Sequence, residues 1–213
     1  MFVLAKDNQV FYGPNNWNVN LIKSYIEDEF ELDVNVPSTP ITSGTELSDG
    51  IFVYEINNIL IPEYNSKIEK LEGPFYSFIN GKANISYLVV EKPLEQIKSE
   101  LLAIIANNRW KKEVGGVIVS IQGQQIKFPT DRNERNIFLQ ALQTQYFNNV
   151  WKLYTETGEI IWLTLNENDL TSIVTAISTH ITNAFAWENT IATQINTASS
   201  AIDLDGINLE CPA

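Results

Sequence analysis

The sequence predicts an α+β fold: small antiparallel hairpins and sheets packed with helices, ending in a hairpin followed by a long amphipathic C-terminal helix. Three observations predict it. Alternating apolar residues flank turn dipeptides such as Asn80-Gly81, where positive φ is tolerated and a hairpin is favoured. Apolar residues recur at three- and four-residue steps from Leu170 to Ile195, a period that belongs to a helix and not to a strand. The chain has 213 residues, of which 44% are apolar, enough to bury a core in one large or two small domains.

Taken in order, residues 2–4 and 10–12 bracket Asp7-Asn8 and predict a first hairpin. Leu21, Ile22, Tyr25, Ile26 and Phe30 give a short helical stripe after Asn18 or Asn20, both able to cap it. Leu32, Val34 and Val36 alternate with polar residues as a strand, and residues 37–50 are rich enough in turn formers to read as a loop. Phe52, Tyr54 and Ile56 alternate again, and residues 75–79 and 85–90 form the hairpin around Asn80-Gly81. These elements predict an N-terminal mixed α/β domain over 1–92.

Pro93 opens a helix in which Leu94, Ile97, Leu101, Ile104 and Ile105 line one side, since proline costs nothing where the N–H has no helical partner. This helix, over 93–112, is expected to connect the halves. A C-terminal domain follows over 113–213. Gly115-Gly116 stops the helix, residues 117–121 and 125–128 pair across Gly123, and Asp131 with Glu134 gives a capping-box signature for a helix carrying Ile137, Phe138, Ala141 and Leu142. A second hairpin, residues 150–154 and 160–163, turns through Thr155-Glu156-Thr157-Gly158. Asn166 then caps the long helix, with Asp169 three residues on, where its charge suits the helix dipole. Asp205-Gly206, flanked by Ile202, Leu204, Ile207 and Leu209, predicts a terminal apolar turn that folds back on its domain or adds to a partner's sheet edge.

Composition excludes several classes. Net charge is −12, from 26 acidic and 14 basic residues, which disfavours nucleic acid. The lone Cys211 permits no internal disulfide. No basic lead and no run of about 20 apolar residues is present, so neither a signal peptide nor membrane insertion is expected. There is no glycine-rich phosphate loop, nucleophile elbow, or Cys and His metal spacing. Asp203 and Asp205 do not fit a calcium loop, because that register puts Ala201 first and Pro212 twelfth. Glu27, Asp28, Glu29 and Glu31 read as a solvated helix end.

His180, the only histidine, sits beside the apolar stripe of the long helix and reads as a core or interface residue. Glu188 lies further along that stripe; if buried it needs a partner, and Arg109 is the expected one, because guanidinium binds carboxylate bidentately. Arg109, Glu188 and His180 are therefore expected to form a structural clasp between the two long helices, the alternative being an exposed Glu188. Between 109 and 135, six basic residues stand against three acidic ones. Lys111, Lys112, Arg132 and Arg135 among them mark either a solvated face or a docking surface for an acidic partner. Trp17, Tyr64, Phe75, Tyr76, Phe78 and Trp187 are further candidates for partner contact, unless they are core. No catalytic, cofactor-binding or metal-binding residue is expected.

Arg109-Trp110, Glu113, Gly115-Gly116-Val117, Thr130-Asp131-Arg132, Trp151-Lys152, Ile161-Trp162-Leu163-Thr164, Leu170, His180-Ile181, Phe185 and Glu188 together resemble a domain of unknown function found in tailed-bacteriophage proteins. The order and spacing of the set carry the resemblance, which covers roughly residues 107–211. Asp49-Gly50 with Phe52 and Tyr54, Pro62-Glu63-Tyr64, and residues 87–94 are more loosely similar to the N-terminal part of tail accessory proteins. The family pattern tends to end in a Gly-Trp-Pro-like terminus, where this chain has Cys211-Pro212. The resemblance implies a non-enzymatic tail protein acting through contacts with tail-fibre or baseplate proteins or with copies of itself. It would reside in the virion tail, and in the host cytoplasm during assembly. A transient tail-fibre assembly chaperone is the alternative. A glycosidase acting on polysaccharide is a remote third, which would need two carboxylates about 5–10 Å apart in an open cleft.

Overall fold

The computed structural model describes residues 1–212 and divides into two compact units, Met1–Glu91 and Lys92–Ala213. In the first unit, β1 (Phe2–Lys6) and β2 (Gln9–Asn15) form a hairpin through Asp7 and Asn8, both at positive φ. The helix α1 (Val19–Phe30) starts at Asn18, whose side chain accepts from the Leu21 N–H at 3.1 Å. Four more strands follow: β3 (Thr45–Ser48), β4 (Ile51–Leu60), β5 (Glu69–Ile79) and β6 (Lys82–Glu91). The sheet order is β2-β1-β4-β6-β5, with β3 on β4. Leu4, Tyr12, Ile51 and Val53 meet Ile22 and Ile26 of α1 in one core.

Three expectations for this unit are corrected. Residues 32–36 form no strand: Val34 and Val36 are buried in the α1 core without a ladder partner, so their alternation records side-chain burial and not sheet pairing. The 37–50 loop contains β3, which pairs antiparallel with β4. The sheet is not wholly antiparallel, because β4 and β6 run parallel. The chain crosses to the far edge as β5 before returning through Asn80-Gly81 as β6, which puts β6 in the direction of β4. The Gly81 end of that turn is held by Ser43, whose Oγ donates to the Gly81 carbonyl at 2.5 Å and accepts from the Glu55 N–H at 2.6 Å.

The second unit begins with α2 (Leu94–Val114), which buries Ile97, Leu101 and Ile105. Expected as a connection, α2 is a packed member of this unit, because its apolar stripe gives it a side to bury among the helices that follow. Next come the hairpin β7 (Val117–Ile121) and β8 (Gln124–Phe128), α3 (Arg132–Gln143), the hairpin β9 (Asn149–Tyr154) and β10 (Ile160–Leu165), and α4 (Glu167–Thr197). α4 packs along both α2 and α3. Its start carries a full capping box: Asn166 accepts from the Asp169 N–H, and Asp169 accepts from the Asn166 N–H. At α3 only the Asp131 half forms, accepting from Asn133 and Glu134. Phe128, Phe138, Leu153, Leu165, Leu170 and Ile173 lie at the centre of the core.

The terminal turn is also corrected. Residues 201–205 form a short helix, α5 (Ala201–Asp205), with Ser200 and Asp203 making a capping box. Helical spacing buries Leu204 and leaves Ile202 80% exposed, so the apolar residues do not share one face as a ribbon would require.

Candidate functional site: an ion-paired clasp and an exposed apolar ribbon

Helical spacing in the last turns of α2 puts Arg109 and Glu113 on one face, four residues apart. Arg109 donates from Nη1 to Glu113 Oε2, and from Nε to Glu188 Oε2 on α4 at 3.0 Å. Arg135, at the start of α3, reaches Glu113 Oε1 at 3.4 Å. Glu113, 4% exposed, is thus the hub of a four-residue network that ties α2, α3 and α4 together with no net charge. The Arg109 guanidinium also lies 4.6 Å from the Phe185 ring centroid, a cation–π geometry.

The end of α2 is held as closely. Thr130, fully buried, donates its hydroxyl to the Glu113 carbonyl and accepts from the Gly116 N–H at 3.0 Å. His180 Nε2 stands 2.7 Å from the Lys112 carbonyl. A carbonyl only accepts, so Nε2 carries the proton, and His180 supplies the last turn of α2 with a donor. The structure therefore brings Arg109, Glu188 and His180 to the α2–α4 crossing. Sequence reasoning missed Glu113, Arg135 and Thr130 as members; the four-residue spacing of Arg109 and Glu113 was the available signal.

The expected contact residues separate into two groups. Trp17 donates from Nε1 to the Pro37 carbonyl at 3.0 Å, meets Phe2 edge-on at 5.7 Å, and packs on the first core. Phe78 lies 4.2 Å from Tyr54, ring to ring. Tyr76 is half-buried, and burial pushes its phenol above the ordinary value, with Tyr87 adding to the effect. These three serve packing. Tyr64, Phe75, Lys111 and Arg132 are exposed, and Lys112 is half-exposed. Trp187 is half-buried and shares a cavity of about 190 Å³ with Lys112, His180 and Cys211. Burial raises the Cys211 thiol above its usual value, against a smaller opposing effect of the Lys112 charge.

A larger apolar surface lies on the β9–β10 ribbon. The register sets Tyr154 opposite Ile160, Lys152 opposite Trp162 and Val150 opposite Thr164. Leu153, Leu165 and their neighbours of the same parity face the core, which leaves Val150, Tyr154, Ile160 and Trp162 outward; Trp162 is 63% exposed. The only charge on this outer face is Lys152, whose ammonium lies 5.8 Å from the Tyr154 ring centroid. Alternation did not reveal it, because both parities of the two strands are apolar.

Among the described residues no group of three or more His, Cys, Asp or Glu is placed to hold a metal ion, and no helix is long and apolar enough to cross a membrane. A cleft between the Gly115-Gly116 turn and the β9–β10 turn is lined by Glu134, Glu156, Lys127 and Tyr154.

Fold and site thus define an α+β protein whose second unit holds three ion-paired helices and presents an apolar ribbon. The chain belongs to the family described as Domain of unknown function (DUF4376), whose model matches residues 96–208. That span takes in the clasp, the ribbon and α4. No curated protein and no solved structure shows a significant match to the chain.

Proposed function

We propose that this chain is a bacteriophage tail protein that works through protein–protein contacts, as a virion component associated with tail fibres or baseplate. The observation that carries a contact role is the ribbon: Val150, Tyr154, Ile160 and Trp162 on one outward face. Exposed apolar patches of this kind mark interaction surfaces, and tyrosine and tryptophan are the side chains that most often anchor them. The clasp fits the same role. Its carboxylates and guanidiniums are spent on one another, which fixes three helices of the unit that carries the ribbon. The assignment to tails rests on the sequence resemblance.

Mass spectrometry of purified mature virions tests the reading. A fixed stoichiometry with known tail proteins is expected. Absence from virions despite strong expression in infected cells would instead make the chain an assembly chaperone. If neither virions nor fibre-assembly intermediates contain it, the tail reading falls.

A further inference from the structure

An open pocket of about 510 Å³ lies where the connection from β2 enters α1, within the first unit. Two kinds of side chain line it. Leu21 and Tyr25, one turn apart on α1, are exposed, and Trp17, just before the cap, is half-buried. The Nε1 bond from Trp17 to the Pro37 carbonyl fixes that ring, and Tyr25 meets the Tyr12 ring edge-on at 5.4 Å. Asn15, Asn16 and Asn18 bring three amides from the connection itself. Asn18 Oδ1 is spent on the Leu21 N–H, which leaves its amide nitrogen to donate.

Tyr12 is the informative residue. It lines the pocket yet is only 7% exposed, and its hydroxyl is buried with no hydrogen-bond partner. Buried hydroxyls are normally satisfied, because an unpaired one forfeits the bonds it would make to water. Packing alone would be served as well by phenylalanine.

The lining also specifies what fits. No lining residue is charged, and Met1–Glu91 holds five basic residues against thirteen acidic ones, so an anion meets a repelling field and no counter-charge. A cation finds no carboxylate in the lining. Amides and a phenol both donate and accept, which suits a ligand whose own groups do both. Aromatic and aliphatic walls suit one that also has an apolar face. A pyranose has a face of C–H groups and a rim of hydroxyls.

We infer that this pocket binds a neutral sugar, its C–H face against Trp17 and Tyr25 and its hydroxyls bonded to Tyr12 and the asparagine amides. Tyr25, exposed and packed on Tyr12, changes rotamer without moving the backbone, which gives a sugar hydroxyl a way to the Tyr12 oxygen. The site lies in the first unit and uses neither the ribbon nor the tail assignment, so it stands or falls apart from both.

A nitrogen-15 HSQC titration of the full chain with maltotriose, cellotriose, chitotriose and mannotriose is the test, with trigalacturonic acid and choline chloride as charged probes. Saturable shifts of the Trp17 indole and of the Asn15, Asn16 and Asn18 side-chain amides are expected with at least one neutral trisaccharide and with neither charged probe. The methyl glycoside of the sugar that binds separates the sources: equal affinity marks a single sugar unit as the ligand, weaker affinity marks a polysaccharide chain, and either upholds the site. Tyr25→Ala and Asn16→Ala, both on exposed surface, should each weaken binding by about 10-fold. Tyr12→Phe should weaken it by about 5- to 10-fold without lowering the urea midpoint, because the hydroxyl it removes bonds nothing in the free protein. Trp162→Ser on the ribbon should leave binding unchanged. Silence with every neutral trisaccharide, a response to either charged probe, binding that survives Tyr12→Phe and Tyr25→Ala, or a lowered midpoint in Tyr12→Phe would each overturn the inference.

Discussion

Glu113 pairs with two guanidiniums through one nearly buried carboxylate, and Glu188 supplies the second negative charge. Truncating it leaves Arg109 with Glu188 alone and strips Arg135 of its partner. Breaking a buried ion pair costs about 3–5 kcal/mol, and both arginine side chains keep some water, at 18% and 26% exposure. Glu113→Ala is therefore expected to destabilise by ~3 kcal/mol, near the lower end of that range, read as a shift of the urea midpoint. Arg132→Ala, on exposed surface, should stay within about 0.5 kcal/mol. A second residue-scale prediction concerns Gly44. At φ +81°, a Cβ there would sit 2.8 Å from the Gly81 Cα, against backbone that Ser43 also holds. Gly44→Ala should lower the urea midpoint, while alanine at Gly123, also at positive φ but with nothing within 4 Å, pays only the backbone strain.

At the scale of elements, the cap of α4 sets where a 31-residue helix begins. Asn166→Ala removes the acceptor for the Asp169 N–H and should cost about 1 kcal/mol, whereas Asn166→Gly should cost only a few tenths. The cap of α5 gives a pH dependence. Hydrogen bonds from Ser200 and Ser199 hold the Asp203 carboxyl below the usual aspartate value. A carboxylate with a lowered folded pKa stabilises at higher pH and loses that contribution as pH falls through the folded value. Amide exchange over residues 203–206 should be protected at pH 6 and lose part of its protection below about pH 4, beyond the intrinsic change in exchange rate. The sequence carried most of these elements. Asn18, Asp131 and Asn166 announced their helices, and Asn80-Gly81 its hairpin. What was not legible follows from what a pattern encodes. Val34 and Val36 alternate because one side is buried, and burial does not require a ladder. The Ser200-to-Asp203 spacing of a capping box was present but was outweighed by Asp205-Gly206, a strong turn signal. Arg109 and Glu188 could be paired by charge and apolar context, while Glu113 could not be told from a surface acid until α3 brought Arg135 to it.

At the scale of the whole molecule, the two units carry separate cores, one built on Leu4, Ile22 and Ile51 and the other on Phe128, Leu153 and Leu170. Charge is divided as well. Residues 1–91 hold none of the three arginines, and Lys92–Ala213 has nine basic against thirteen acidic residues, net −4. A unit of 122 residues with its own core is large enough to fold alone, and its ion-paired clasp draws every member from within it. The fragment 92–213 is accordingly expected to unfold in one cooperative urea transition, with a denaturant slope appropriate to its own size. Glu113→Ala should shift the fragment's midpoint by the same free energy as in the full chain, because neither Arg109, Arg135 nor Glu188 lies outside it. A markedly smaller shift in the fragment would show that the network depends on residues 1–91, and the description of the second unit as self-sufficient would then be wrong.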